Sequence, residues 1–294
     1  MQVSKYKQYK YMGFDTYDKI YKSTVVPIMD YGSEVWGINK YSKDEIVQNQ
    51  AARSFLGVNR FAPVDGMQGD LGWNSSRTRR KVNVLRYWNR LTTMSDDRLT
   101  KQVFLWDHAI GKDNWCESVK SILADFSFEN EVYLNKQNVN INEVSNRARE
   151  FEQSCWEIRC VGKPKLRTYT TFKDSLETEN YVKYNLTRKE RSFIAQLRLG
   201  ILPMRIKTGR YEKLAPECRL CEFCTANEIE NEEHFIFKCK LNEKSRVHQS
   251  IYSNISVSNY CEIWKTLFVK HPRQFGRFII SAYQNRKNEM YTRG

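Results

Sequence analysis

Four thiols and one imidazole crowd one short stretch, Cys218-Arg219-Leu220-Cys221-Glu222-Phe223-Cys224 followed by Asn231-Glu232-Glu233-His234-Phe235-Ile236-Phe237-Lys238-Cys239. Thiolate sulfur and imidazole nitrogen are ligands of tetrahedral zinc, and two Cys on one tight turn with a His and a Cys further on close its shell. Two registers fit. Cys221, Cys224, His234 and Cys239 read C-x2-C-x9-H-x4-C, whereas Cys218, Cys221, His234 and Cys239 read C-x2-C-x12-H-x4-C. Four protein ligands leave no open position for water, so the site is expected to be a structural clip, not a hydrolytic centre. Unmetallated buried thiols are the bland alternative, but Arg, Glu and Lys surround these cysteines and no apolar run is present to bury them. Asn231 can cap a short helix whose first turn carries Glu232 and Glu233, which would hold His234 on an ordered turn.

No catalytic constellation accompanies this cluster. Polymerases and nucleases need grouped carboxylates for Mg²⁺, and the adjacent pair Asp96-Asp97 follows Ser95 at an expected helix start, where acids serve as caps. Cys155 and Cys160 accompany Trp156 and Ile158 in a core pattern, as do Cys116 and Cys261 beside other tryptophans. His108, His248 and His271 are scattered and lack a Ser, Cys or Asp constellation, and phosphate-cradling glycine loops are absent.

Charge is the second signal. The formal net charge is +14 over 294 residues, and it is concentrated. Arg77 to Arg90 contains six basic and no acidic residues, and Arg188 to Lys213 contains eight basic against two acidic. At about 100° per residue, Arg79, Arg86 and Arg90 share one helix face opposite Val84, Leu85, Trp88 and Leu91. Arg188, Arg191 and Arg198 likewise oppose Phe193, Ile194 and Leu197. A merely solvated face would carry acids to relieve self-repulsion, so the expected partner is a polyanion, RNA or DNA held through its phosphates. Arg80, Lys165, Arg167, Arg205 and Arg210 complete the candidate contacts. Tyr169, Tyr181, Tyr184 and Tyr211 could stack on unpaired bases, although core packing is the commoner role.

The elements that must position these residues read as helices, with little strand signal. The fold class expected is all-α, a multi-helix bundle with a small zinc knuckle near the C-terminus. Helices are predicted near 76–94, 97–110, 114–125, 141–161, 241–252, 260–268 and 272–290. An earlier one over about 16–36 should kink or divide at Pro27. Thr187-Arg188-Lys189-Glu190 matches a capping box, and Gly57 and Gly200 make plausible stops. Met1 to Lys10 is polar, no apolar run is long enough to cross a bilayer, and the cysteines do not form a spaced disulfide framework. An unsecreted, soluble, intracellular protein of nucleus or cytoplasm, with no membrane partner, is therefore expected.

Several blocks carry a resemblance. Tyr21-Lys22-Ser23 through Pro27-Ile28-Met29-Asp30-Tyr31-Gly32-Ser33-Glu34-Val35-Trp36-Gly37 resembles the thumb-region helix after the palm in reverse transcriptases of LINE-type, non-LTR retrotransposons. Gln48 to Val58, Gly69-Asp70-Leu71-Gly72-Trp73, Arg86-Tyr87-Trp88-Asn89-Arg90, Lys165-Leu166-Arg167-Thr168-Tyr169, Ala195-Gln196-Leu197-Arg198 and Thr208-Gly209-Arg210-Tyr211 follow in order and are similar to the C-terminal region of such polyproteins. The family's terminal knuckle is C-x2-C, an acidic loop, then H-x4-C. That resemblance selects Cys221, Cys224, His234 and Cys239 and makes Cys218 the spare thiol.

The resemblance implies an RNA-directed DNA polymerase lineage. It also implies an omission, because the aromatic-x-Asp-Asp polymerase motif and an endonuclease pattern are not found in the sequence. The chain is therefore expected to bind nucleic acid and not to polymerise alone. Four regions are expected: thumb-like helices over 1–110, a helical connector over 111–186, the basic helix with the knuckle over 187–250, and C-terminal helices over 251–294. A zinc-stabilised protein-interaction module, or a remnant of a decayed element, is the alternative.

Overall fold

The computed structural model of the chain describes residues 12–39, 42–247 and 260–293. Met1–Lys10, His248 and the distal part of the helix expected over 241–252 lie outside the described residues. Among the described residues the protein is all-α, with no strand and one isolated antiparallel bridge between Leu220 and Ile229. Packing collects segments distant in sequence into two compact units. One comprises Asp18–Gln50 and Trp73–Ile158; the other comprises Met1–Tyr17, Ala51–Gly72 and Arg159–Gly294.

In the first unit, the Ser76–Thr92 helix is the central beam. Ser75 starts it, its hydroxyl accepting from the Thr78 amide at 3.2 Å. Val84, Leu85, Trp88 and Leu91 are buried as their spacing predicts, against Phe104 of the Leu99–Ile110 helix and Cys116, Val119, Ile122 and Leu123 of Trp115–Asp125. Trp88 stacks on Tyr133 at 5.8 Å and donates its indole N–H to the Gln137 carbonyl at 2.9 Å, so the ring is buried without leaving its donor unpaired. Each such side chain contributes about 1.5–3 kcal/mol through removal from water. His108 belongs to the same packing, its Nε2 3.0 Å from the Tyr133 carbonyl.

The early helix is interrupted, with Pro27 at the second position of a short helical turn and the break after Met29. Phe14–Ile20 gives way to a π-helical turn over Tyr21–Val25, then a short Val26–Met29 turn and, after a break, Ser33–Trp36. Asp96 and Asp97 lie before the Leu99–Ile110 helix, which starts two residues later than expected. Asp97 accepts from the Ser95 hydroxyl rather than capping helix amides.

The second unit is organised around two packed helices, Arg188–Arg198 and Pro272–Arg293. The capping box forms: the Glu190 carboxylate accepts from the Thr187 amide at 2.9 Å and the Thr187 hydroxyl accepts from the Glu190 amide at 3.2 Å. Gly276 lets the second helix approach closely, since a β-carbon there would lie 3.1 Å from Glu190 Cβ. Gly200 follows the first helix at φ +58°, and a β-carbon there would fall 2.1 Å from the Lys165 carbonyl oxygen. The buried Val64–Leu71 helix was not expected, because Gly66 and Gly69 weaken its helical signal. Packing overrides that weakness. Gly66 sits where a β-carbon would press to 2.4 Å from Leu199.

Candidate metal centre and the placement of the basic residues

The backbone of the Cys/His segment explains its convergence. The Leu220–Ile229 bridge is closed by the Cys221 amide donating to Glu228 at 2.8 Å and the Glu230 amide donating to Arg219 at 3.0 Å. The turn between them carries Cys224, and Asn227 takes a left-handed φ of +52° that Asn tolerates. Asn231 then accepts from the His234 amide at 2.8 Å, as its capping role requires. The following turn, His234–Lys238, is π-wound, and the Cys239 amide closes on the His234 carbonyl at 2.7 Å.

These turns bring one ligand atom each from Cys221, Cys224, His234 and Cys239 to within 4.8 Å of one another. The group can hold a metal ion. Cys221 and Cys239 lie 3.9 Å apart at sulfur, and Cys224 Sγ is 3.4 Å from His234 Nε2. Cys218 is exposed and outside the group, which settles the register left open by spacing alone. His234 Nδ1 meets the Glu228 carboxylate at 3.2 Å, so Nε2 is the nitrogen turned toward the thiols. Burial alone would lower His234, but the Cys221 thiol and the Glu228 carboxylate outweigh it and hold the imidazole up at about 9. The bond to Cys239, with burial, pushes Cys221 up to about 12, and the same bond lowers Cys239.

Ion pairs brace the segment from outside. Glu230 is buried and accepts from Arg286 at 2.7 and 2.9 Å, while the guanidinium lies 4.6 Å from the Phe223 ring centre. Glu232 accepts from Arg167 at 2.5 Å and from Thr168 at 3.0 Å. Arg246 donates to the Cys239 carbonyl at 2.7 Å. Sequence spacing pointed to the ligands but not to these braces, whose partners are remote in the chain.

The basic residues divide sharply. Arg80 and Arg198 are buried, which corrects their expected role as phosphate contacts. Arg80 donates to Asp44 at 2.6 Å, and Arg198 donates to Asp70 at 2.8 and 3.0 Å. Arg191 is also buried, its guanidinium 4.0 Å from the Phe55 ring centre and its Nε donating to the Phe55 carbonyl at 2.9 Å. Arg79 is engaged by Asp30 at 2.5 and 3.2 Å. Arg167 is taken by Glu232, and Arg205 by Glu212 at 2.7 Å and by Glu222 at 3.0 Å. Within the stripes seen in sequence, Arg79 and Arg198 therefore meet carboxylates from distant segments, and Arg191 meets a backbone carbonyl. Arg86, Arg90, Arg188 and Arg210 remain exposed, and Lys165 is half-buried with its ammonium on the Phe61 carbonyl at 2.6 Å. Tyr169 and Tyr181 are fully buried core residues, while Tyr184 and Tyr211 are exposed.

No helix among the described residues is long and apolar enough to cross a membrane. No family model, curated protein or solved structure matches the chain.

Proposed function

We propose that this chain is the nucleic-acid-holding, C-terminal portion of a non-LTR retrotransposon reverse transcriptase, with grip but no polymerisation of its own. The observation that carries this reading is the positive charge left after internal pairing. Arg86 and Arg90 in one unit, and Lys165, Arg188 and Arg210 in the other, have no carboxylate partner among the described residues. Unneutralised surface cations favour a phosphate polymer, whose binding releases counterions and weakens as salt rises. The ordered sequence blocks supply the family, and the Cys/His cluster agrees with its terminal knuckle.

Zinc is the ion the donor set suits. Bond lengths of about 2.3 Å to sulfur and about 2.0 Å to nitrogen give tetrahedral edges of about 3.8 Å between sulfurs and about 3.5 Å between sulfur and nitrogen. The separations of 3.9 and 3.4 Å found here agree with those edges. Cys221, Cys224, His234 and Cys239 would hold the ion, which supplies folding free energy rather than reaction chemistry. Titration of the purified chain with labelled RNA and DNA tests the function: salt-sensitive binding supports it, and no binding at low ionic strength overturns it.

A protein-interaction module is the second reading, and one observation favours it. The Leu99–Ile110 helix leaves Leu99, Val103, Trp106 and Ile110 exposed on one face, although Phe104 anchors its other side in the core. Arg86→Gln with Arg90→Gln separates the readings: weakened oligonucleotide binding favours nucleic acid, and an unaltered titration with loss of a protein complex favours the interaction module.

A further inference from the structure

We infer that Arg60, Phe61, Lys165, Lys207, Arg210 and Tyr211 form a binding site for an unpaired nucleic-acid strand, its phosphates on the cations and its bases on the two rings. This rests on the nucleic-acid reading above and gives it a location within one unit. Three chain segments build the site around the turn at Gly200. The Lys165 carbonyl lies against Gly200, where no side chain would fit, and Lys207 Nζ donates to the Ile201 carbonyl at 2.7 Å. Lys165 Nζ donates to the Phe61 carbonyl at 2.6 Å, which ties in the segment preceding the Val64–Leu71 helix.

The ammonium groups are thus bound only to neutral carbonyls, which position them and leave their charge uncancelled. No carboxylate pairs with Arg60, Lys165, Lys207 or Arg210 among the described residues. The neighbouring acids are already committed: Asp65 to Arg159 at 2.8 Å, and Glu212 to Arg205 at 2.7 Å. Burial lowers Lys165 and Lys207, and the Arg210 charge lowers both further, so the three cations feel one another. An arriving phosphate would relieve that repulsion.

The rings give the strand preference. Phe61 is 53% exposed and Tyr211 70% exposed, unlike the buried Tyr169 and Tyr181. Each is presented beside an arginine, with Arg60 4.9 Å from the Phe61 ring centre and Arg210 4.9 Å from that of Tyr211. Arg210 also donates to the Tyr211 hydroxyl at 3.0 Å, which fixes the ring's position. Exposed aromatics among uncompensated cations stack unpaired bases, whose faces a duplex conceals. Stacking of this kind tolerates any base sequence.

The experiment is fluorescence anisotropy of the full zinc-loaded chain with short single-stranded RNA, single-stranded DNA and duplex DNA. Phe61→Leu combined with Tyr211→Leu is expected to weaken single-strand binding at least tenfold and to change duplex binding by less than about twofold. Lys207→Gln combined with Arg210→Gln is expected to flatten the single-strand salt slope by about 0.7 for each cation removed. Circular dichroism and zinc content report that each variant is folded. Wild-type affinity and slope in both variants, with the parent chain still binding, overturn the site and leave the nucleic-acid reading standing. Equal weakening of single-strand and duplex binding by the aromatic variant overturns the strand preference, and failure of the parent chain to bind any oligonucleotide overturns both.

Discussion

Arg198 and Asp70, 128 positions apart in the chain, form a fully buried two-point ion pair, with Arg198 Nη2 and Nε at 2.8 and 3.0 Å from one Asp70 oxygen. Glu179 stands 3.3 Å from the same guanidinium, and the Tyr181 hydroxyl donates to the other Asp70 oxygen at 2.5 Å. Rings of Phe268 and Phe172 lie 4.4 and 4.6 Å from the guanidinium carbon. The cation is thus satisfied by acids and ring faces, the phenol satisfies Asp70, and the pair joins the Val64–Leu71 helix to the Arg188–Arg198 helix within one unit.

Breaking this pair from one side should therefore cost much more than replacing both partners. Asp70→Asn removes the fully buried partner of the guanidinium and leaves it only Glu179 at 3.3 Å as counter-charge, and a loss of about 3–5 kcal/mol is expected. Tyr181→Phe should cost about 1–2 kcal/mol, because one buried hydrogen bond to a charged acceptor is lost. Urea unfolding of each variant measures both. Oligonucleotide affinity of folded Tyr181→Phe should equal that of the parent, since this group faces the core.

The same pair explains what the sequence conceals. Helical spacing identified the apolar faces well, and Val84, Leu85, Trp88, Ile194 and Leu197 are all buried. It could not show that Arg80 meets Asp44, that Arg198 meets Asp70, or that Arg79 meets Asp30, because the acids come from segments with no periodic relation to the arginines. Local charge excess therefore overstated free charge. The Cys/His cluster was legible because its ligands lie close in sequence and are brought together by one bridge and one capped turn. Spacing alone still admitted Cys218; the resemblance made it the spare thiol, and in the structure it lies outside the converging group.

Metal content should follow that convergence. The parent chain and Cys218→Ser are expected to carry about one zinc per chain, whereas Cys221→Ser and Cys239→Ser should lose it. Structural zinc sites are worth about 10–16 kcal/mol in apparent free energy, so chelation should open the 219–239 segment before the rest of the chain. Elemental analysis with hydrogen exchange measures both. Retained zinc in Cys239→Ser would sink the assignment.

Glu228 should act on the metal through His234. Its carboxylate at Nδ1 orients the ring so that Nε2 faces the thiols, and outer partners of this kind typically matter about 10- to 100-fold in affinity. Glu228→Gln can keep a hydrogen bond and should weaken zinc binding less than Glu228→Ala. Competition with a chromogenic chelator gives the order, and equal affinities for the parent and the Ala variant would remove Glu228 from the site's support.

Acid should destabilise the second unit through Glu190 and Glu179. Burial raises Glu190, but the Thr187 amide and hydroxyl and the Arg277 guanidinium outweigh it and hold the carboxyl below its ordinary value. Burial likewise raises Glu179, and the Arg198 and Lys173 charges outweigh it. A carboxyl depressed on folding contributes its full stabilisation above the unfolded value of about 4.3 and loses it as pH falls through the folded value. Thermal unfolding midpoints should therefore fall below about pH 5. Glu190→Gln should be less stable than the parent at neutral pH, and the two should converge in acid, because protonation removes from the parent what the substitution has already removed. Parallel midpoint curves across the acid range would show that Glu190 is not a source of the dependence.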